Sequence, residues 1–299
     1  MSVLGRLVTA AAGLGGLGGL GILYSSSGAG DNNRIVHAAQ IIGERVCAEK
    51  SKSFSVLKDV PREQLSVAKW DYNWDRRDPS HMVEASKGGE DDERFKMEVQ
   101  LKKPKVTRHL FLIRHGQYNL DGKTDKERYL TEKGVEQAKT TGRRLVELNH
   151  PYQLMVRSTM TRALQTGEEI LAQMKPGSLP FRDDSMLMEG APCPPEPPSF
   201  CYSPESHEYF QDGSRIEAAF RNYVHRADYR QTKDSYEILV CHGNVIRYFV
   251  CRALQLPPEA WLRINLSHAS ITWLSIMPSG CVSLRSLGDT GHMPPNLIT

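Results

Sequence analysis

From about residue 105 onward, apolar and polar positions alternate in blocks of two kinds. Short apolar runs that end in polar residues predict buried strands at 109–113, 154–156 and 237–241. Apolar residues at helical spacing predict helices over about 131–148, with Thr131 as the N-cap, and over about 161–173, 214–226 and 245–254. A late pair of strands is predicted at 270–276 and 281–287. Strands that alternate with helices predict an α/β fold, with a mainly parallel sheet and helices on both faces.

The first 30 residues follow a different pattern and contain one charged residue, Arg6. Leu7 to Tyr24 is an uncharged run of 18 residues, which as a helix would span about 27 Å, slightly less than the ~30 Å hydrocarbon core of a bilayer. A single-pass membrane anchor, a cleaved secretory signal and a mitochondrial targeting segment are all compatible with this run. We favour the anchor, in which Gly15 and Gly19 would let two such helices approach closely.

Residues 31–104 show no sustained apolar period, and we interpret them as a polar linker. One segment stands out, residues 70–77, which reads Trp-Asp-Tyr-Asn-Trp-Asp-Arg-Arg and holds two of the four tryptophans. Trp70 and Trp74 share a face whether the segment is helical or extended. Because large aromatic side chains favour burial, we expect this pair to dock either on a neighbouring subunit or back onto the α/β domain of its own chain.

Composition narrows the possible functions without choosing one. The 38 basic and 35 acidic side chains give a net charge of +3, too weak a bias to make nucleic acid the main partner. The six cysteines form no C-x-x-C pair, which excludes zinc-ribbon spacing and gives no disulfide framework. The chain contains no H-E-x-x-H, P-loop or G-x-G-x-x-G motif.

Residues suited to phosphate chemistry follow the predicted strands. The first strand runs into Arg114-His115-Gly116 and the third into His242-Gly243-Asn244, while Arg162 opens the helix after the second. The carboxyl ends of parallel strands meet at one sheet edge, so these side chains converge there. Arginine binds phosphoryl oxygens bidentately, and a neutral histidine can attack phosphorus. The sequence therefore predicts a phosphoryl site at this edge.

Five motifs carry a resemblance to a known family. They are Leu112-Ile113-Arg114-His115-Gly116, then Leu130-Thr131 with Gly134, Gln137 and Ala138, then Ser158 with Arg162, Ala163 and Thr166, then Glu189-Gly190, and finally His242-Gly243-Asn244. In this order they resemble the histidine phosphatase superfamily, also called the phosphoglycerate mutase-like family. The resemblance covers about residues 105–290. It divides the chain into an anchor or targeting segment at 1–30, a linker at 31–104 and a catalytic domain at 105–299.

The resemblance implies a role for each residue of the site. His115 is the nucleophile that becomes a phosphohistidine, while Arg114 and Arg162 bind the phosphoryl oxygens and His242 assists them. Glu189 protonates the leaving oxygen and then activates water. No cofactor and no metal are implied, because the arginines supply the positive field. We expect Glu189 to be ionised until bound phosphate raises its pKa.

Segment 70–77, the stretch 212–228 and the closing stretch 287–295 resemble one branch of the superfamily, the mitochondrial, membrane-anchored serine/threonine protein phosphatases. That resemblance implies phosphoprotein substrates, a stress-activated kinase as partner, and a part in stress or mitochondrial quality-control signalling. It places the chain in the outer or inner mitochondrial membrane as a single-pass protein. It also implies a homo-oligomer, a dimer or a higher multimer, assembled through Trp70, Asp71, Asn73, Trp74 and Asp75.

Other functions stay open beside this one. A metabolic mutase or small-molecule phosphomonoesterase of the same superfamily would keep the core motifs, but mutases usually read Glu-Ser or Glu-Gln where this chain has Gln117-Tyr118. Acid phosphatases usually read Arg and Pro at the positions of Tyr118 and Leu120. A membrane-anchored interaction scaffold is the alternative of another class. Four further histidines, His207, His225, His268 and His292, are expected to be ordinary surface or core residues.

Overall fold

A six-stranded sheet forms the centre of the fold in the computed structural model, which describes residues 69–84 and 92–299. The strands are β1 (Arg108–Arg114), β2 (Tyr152–Ser158), β3 (Phe181–Asp184), β4 (Ser235–Cys241), β5 (Ile271–Ile276) and β6 (Val282–Asp289). Their order in the sheet is β3-β2-β4-β1-β5-β6. The first four strands in this order pair in parallel, and β5 and β6 add an antiparallel edge. The α/β class is confirmed, and the sheet is mixed.

Five α-helices accompany the sheet in these described ranges. They are α1 (Glu93–Leu101), α2 (Glu132–Leu148), α3 (Thr161–Leu171), α4 (Ser206–Tyr223) and α5 (Gly243–Ala253). The predicted cap of α2 is confirmed, because Thr131 Oγ1 accepts a hydrogen bond of 3.1 Å from Gly134 N. The prediction for α4 was wrong at its start, since the helix begins at Ser206 instead of Ser214.

The core lies on both faces of the sheet, as the alternation of β1 shows. Leu110 and Leu112 pack on one face with residues of α4 and α5, including Ile216 and Phe249. The neighbouring positions of β1, Phe111 and Ile113, pack on the other face with residues of α2 and α3. All four β1 side chains are fully buried, and each contributes about 1.5–3 kcal/mol by leaving water. Helices therefore cover both faces, as predicted.

Two elements were not predicted, and both lack an apolar face. Strand β3 reads Phe-Arg-Asp-Asp at the sheet edge and has no fully buried residue. Helix α1 also buries none of its nine residues and lies inside the range interpreted as linker. Hydrophobic periodicity reports burial, so elements that bury little leave little signal in the sequence.

Segment 70–77 contacts the α/β fold of its own chain. Trp74 Nε1 donates to Gly280 O at 2.7 Å, and the indole ring lies 6.0 Å from that of Phe220. Asp75 forms an ion pair with Arg226 at 2.5 Å, with side chains only 1% and 2% exposed. Burial would raise the pKa of Asp75, but hydrogen bonds from Arg226 outweigh it and hold this pKa below its usual value. One part of the segment is thus fixed inside the protomer.

The predicted membrane anchor at 1–30 and the first part of the predicted linker, 31–68, lie outside the described residues. Within 69–84 and 92–299, no helix has the length and apolar character needed to cross a bilayer.

The Asp75–Arg226 pair gives a stability test. Asp75→Ala leaves a buried guanidinium without its carboxylate, which should lower the free energy of unfolding by about 3–5 kcal/mol. Asp228→Ala is the matched control, because its carboxylate is bonded locally by the exposed Arg230 and its loss should cost less than about 1 kcal/mol. Urea denaturation of the purified protein measures the free energy of unfolding of both variants. Equal losses would show that the buried ion pair stabilises the protein no more than a surface contact does.

Candidate active site

The carboxyl ends of β1, β2 and β4 bring the predicted site residues together. His115 follows β1, Arg162 lies in the first turn of α3, and His242 follows β4 as the N-cap of α5. The rings of His115 and His242 lie 5.1 Å apart, and the two residues are only 2% and 0% exposed. The parallel order of these strands produces this convergence, because it turns all three ends toward one edge.

Hydrogen bonds fix the tautomer of His115. Its Nδ1 lies 2.8 Å from the carbonyl oxygen of Gly116, which can only accept, so Nδ1 carries the proton. Nε2 then holds a lone pair and accepts from Arg162 Nε at 3.2 Å. Burial, and then the charges of His242, Arg162 and Arg114, lower the pKa of His115 well below its ordinary value. The imidazole is therefore neutral and keeps a nucleophilic nitrogen.

Two glycines allow the loop after β1 to press against the start of α2. A Cβ on Gly134 would lie 1.9 Å from Gln117 O, and one on Gly116 would lie 2.5 Å from Gly134 O. Two side chains then bind the loop, Thr166 accepting from Gly116 N at 3.0 Å and Gln137 accepting from Gln117 N at 2.8 Å. These contacts explain why the predicted motif residues of the two helices lie beside His115.

His242 lies across from His115 with one nitrogen occupied. Its Nε2 is 2.8 Å from Ser158 Oγ, and its buried Nδ1 has no hydrogen-bond partner. Burial, followed by the charges of Arg162 and Arg215, lowers the pKa of His242 well below its ordinary value. A buried polar atom without a partner is costly, so Nδ1 is a candidate ligand-binding atom.

Both arginines of the site also have an unsatisfied nitrogen. Arg114 Nη1 donates to Leu266 O and Nη2 to His268 Nε2 at 3.1 Å, while its buried Nε has no partner. Arg162 lies 4.7 Å over the Tyr118 ring, and its buried Nη1 has no hydrogen-bond partner. The unpaired donors of the arginines around a neutral histidine form a site for an oxyanion.

Glu189 lies beside α5, and its pKa is raised chiefly by burial. Its carboxylate oxygens accept from Gly190 N at 3.2 Å and from Asn244 N at 3.4 Å, which, with Arg162, limits the rise. The expectation that only bound phosphate raises this pKa needs correction, because the fold already does so. A carboxyl with a raised pKa is suited to donate a proton.

Sequence reasoning missed His268, which was expected to be an ordinary residue. Its ring lies 5.7 Å from that of His115, and it contacts Arg114. It precedes β5, which pairs with β1 in the sheet, and that pairing was not derivable from spacing along the chain. His109 lies at the opposite end of β1, bonded to Ser275, and plays no part at the site.

In the described part of the chain, no group of three or more His, Cys, Asp and Glu side chains has the arrangement to hold a metal ion.

The profile of the histidine phosphatase superfamily, branch 1, matches residues 110–192 and 194–290. Together with the buried histidine pair and its arginines, this match shows that the chain belongs to that superfamily.

Closely similar proteins are known by name. The chain is 52% identical over 264 residues, 88% of its length and 94% of the relative's, to the Xenopus laevis protein called serine/threonine-protein phosphatase PGAM5, mitochondrial. It is 53% identical over 234 residues, 77% of its length and 80% of the relative's, to the human protein of the same name. Among solved structures, phosphoglycerate mutase from Plasmodium falciparum is 31% identical, with 64% of this chain and 96% of that chain covered at a TM-score of 0.46.

Proposed function

We propose that the protein is a protein phosphatase that removes phosphate from phosphoserine and phosphothreonine through a phosphohistidine at His115. The observation that carries this proposal is the neutral Nε2 of His115, which faces the guanidinium of Arg162 in a buried site. The protein-directed specificity is supported by the relatives, which are named serine/threonine-protein phosphatases and are aligned over most of this chain.

The first chemical step transfers the phosphoryl group to the enzyme. The Nε2 lone pair of His115 gives up its hydrogen bond from Arg162 Nε, which turns to a phosphoryl oxygen. It then forms the N–P bond as the bond from phosphorus to the seryl or threonyl oxygen breaks. Glu189 gives its proton to that oxygen, so the product leaves as an alcohol. Donors of Arg114, Arg162 and the Nδ1 side of His242 bind the equatorial oxygens, where negative charge is held in the transition state.

The second step returns the enzyme to its starting state. Glu189, now a carboxylate, takes a proton from water as the water oxygen bonds to phosphorus and the N–P bond breaks. Inorganic phosphate leaves, and His115 is again neutral. The buried carboxyl alternates between acid and base because its raised pKa makes both forms accessible.

His115→Ala tests the nucleophile and should abolish turnover of a phosphopeptide while the far-ultraviolet circular dichroism spectrum stays unchanged. The fold should survive because the substitution removes a side chain at the polar end of β1 and not one from the hydrophobic core. In the unaltered protein, rapid quench and mass spectrometry should locate phosphate on His115. Phosphate on His242 or on a serine would contradict the assignment.

A parallel phosphoglycerate mutase assay should show little or no activity, and efficient mutase turnover would favour the metabolic alternative.

The same proposal places the protein at a mitochondrial membrane through residues 1–30. The relatives carry the word mitochondrial in their names, and the uncharged run from Leu7 to Tyr24 is long enough for a short span. Signalling in stress or mitochondrial quality control, with a stress-activated kinase as partner, remains a prediction from the resemblance.

Deletion of residues 1–28 tests the anchor. The truncated protein should remain in the supernatant after a carbonate wash and keep its phosphatase activity, because the strands and helices of the site begin at Arg108. The full chain should pellet with membranes under the same wash. A truncated protein that still pellets would require another membrane contact.

The proposal includes a homo-oligomer assembled through segment 70–77. The two halves of this segment differ in their contacts within the protomer. Trp74 and Asp75 bind their own domain, whereas the buried Nε1 of Trp70 has no hydrogen-bond partner. A buried indole N–H normally donates to an acceptor. We propose that Trp70, which is partly exposed, meets a neighbouring subunit together with Asp71 and Asn73, and that docking turns its N–H toward an acceptor there.

Trp70→Ala should therefore reduce the oligomer mass measured by light scattering, because one aromatic anchor at an interface contributes about 2 kcal/mol or more. Phosphatase rate should fall with the mass if assembly orders the loops near His115. Trp74→Ala is the comparison, since it also removes the contact with Phe220 and should lower the melting temperature. An unchanged mass for Trp70→Ala would reject the intersubunit role. A changed mass with an unchanged rate would reject only the coupling to catalysis.

A further inference from the structure

We propose that His268, held in turn by Thr299, is a positioning residue that aligns the guanidinium of Arg114 with the phosphoryl group. This inference rests on the proposed function, because it assigns Arg114 to phosphate binding. The predicted roles of the site include no residue that orients Arg114. Two contacts from the loop before β5 do so, one from Leu266 O and one from His268 Nε2 at 3.1 Å.

The chemistry of the partners fixes the tautomer of His268. A guanidinium can only donate, so His268 Nε2 accepts from Arg114 and Nδ1 carries the proton. That proton points to Thr299 Oγ1 at 2.9 Å, and His268 N donates to Thr299 O at 2.9 Å. Burial and the charge of Arg114 lower the pKa of His268 to about 4, so the accepting form prevails at neutral pH. His268 is thus held by Thr299 at its backbone N and at ring Nδ1, and Nε2 offers its lone pair to Arg114.

The segment Pro295–Thr299 also supports the loop that carries His115. Gln137 Nε2 donates to Leu297 O at 2.6 Å and to Thr299 Oγ1 at 2.8 Å. Its Oε1 accepts from Gln117 N at 2.8 Å. Gln137 is fully buried, so a rigid amide joins this segment to the nucleophile loop. One short stretch therefore braces both the histidine and an arginine of the site.

The contacts of Arg114 leave a defined atom for the ligand. Nη1 and Nη2 each donate to the loop before β5, whereas Nε has no protein partner. A Cβ on Gly243, at the start of α5, would lie 3.5 Å from that Nε. The planar guanidinium cannot turn about its long axis without losing both bonds to the loop. His268 thus determines where the free donor points.

Two substitutions of His268 separate positioning from packing. His268→Gln keeps an acceptor near the position of Nε2, and His268→Leu fills a similar volume without one. In the full-length protein, His268→Leu should weaken inhibition by inorganic phosphate about 10-fold and lower kcat/KM by a similar factor. His268→Gln should stay within about 3-fold of the unaltered protein. Thr299→Val replaces the hydroxyl by a methyl group and removes the acceptor of both His268 Nδ1 and Gln137 Nε2. It keeps the bond from Arg114 to His268 and should give a smaller loss of about 3-fold.

A double-mutant cycle identifies Arg114 as the group through which His268 acts. In an Arg114→Ala background, His268→Leu should change phosphate inhibition and kcat/KM by less than about 2-fold, because there is no guanidinium left to misplace. His225→Leu is the control for general effects on the fold. His225 is also half-buried with its pKa lowered to about 4, and its ring bonds to Arg226 O, far from the site. That variant should bind phosphate normally.

The outcomes are distinct from failure of the proposed function. If the unaltered protein bound phosphate but hydrolysed no phosphopeptide, the substrate class would be wrong. The same variants, measured by isothermal titration calorimetry for direct binding of inorganic phosphate, would still test His268. Equal losses in the Gln and Leu variants, or an undiminished effect of His268→Leu in the Arg114→Ala background, would overturn the positioning role. So would a loss of phosphate binding that follows the melting temperature and recurs in His225→Leu.

Discussion

The hydrogen bond from Arg162 Nε to His115 Nε2 is the contact on which the rest of the site depends. It joins a permanent cation to an imidazole that can accept only while it is neutral. Two conditions maintain that state, namely burial of the ring and the nearby positive groups. The Gly116 carbonyl, whose hydrogen bond by itself raises the pKa, determines that the one ring proton is on Nδ1. The same contact places Arg162, the proposed phosphate-binding group, beside Nε2 of His115, the proposed nucleophile. A phosphoryl group that binds to Arg162 therefore also lies close to the atom that would attack it.

The concentration of cations at this edge has an energetic consequence. Burial lowers the pKa of Arg114, of Arg162 and of both central histidines, which shows that their charged forms are disfavoured by the protein interior. Among these groups the structure pairs Arg162 only loosely, with Asp125 at 3.8 Å. A phosphoryl dianion supplies the missing negative charge, and a transition state keeps that charge beside the same donors. Ligand binding therefore relieves an electrostatic strain that the folded chain maintains by its packing on both faces of the sheet.

The fold and much of the site were predictable because both depend on burial and strand order. The apolar runs of β1, β2 and β4 are enclosed, except for the partly buried Leu154, and the polar residues that follow or end these runs include the histidines and the serine that contacts His242. Strand β3 and helix α1 were missed because neither buries a residue completely. His268 was missed for another reason. Its role depends on β5 pairing with β1, a contact between residues about 160 positions apart that no local pattern reports.

The divided contacts of segment 70–77 connect the surface of the protein to its core. Asp75 fixes Arg226 from two sides, because the backbone N of Arg226 donates to Oδ2 and its guanidinium to Oδ1. Arg226 follows α4, and α4 carries Arg215, whose guanidinium donates to the carbonyl oxygens of Met188 and Glu189. A subunit that bound Trp70 would therefore displace a segment that is bonded, through Arg226 and α4, to the backbone of Glu189, the proposed general acid. Rigid, well-packed elements transmit such a displacement because the interior has little free volume to absorb it. Under the proposed roles, these contacts would connect subunit docking at Trp70 to Glu189, the proposed proton donor, before they reach His115.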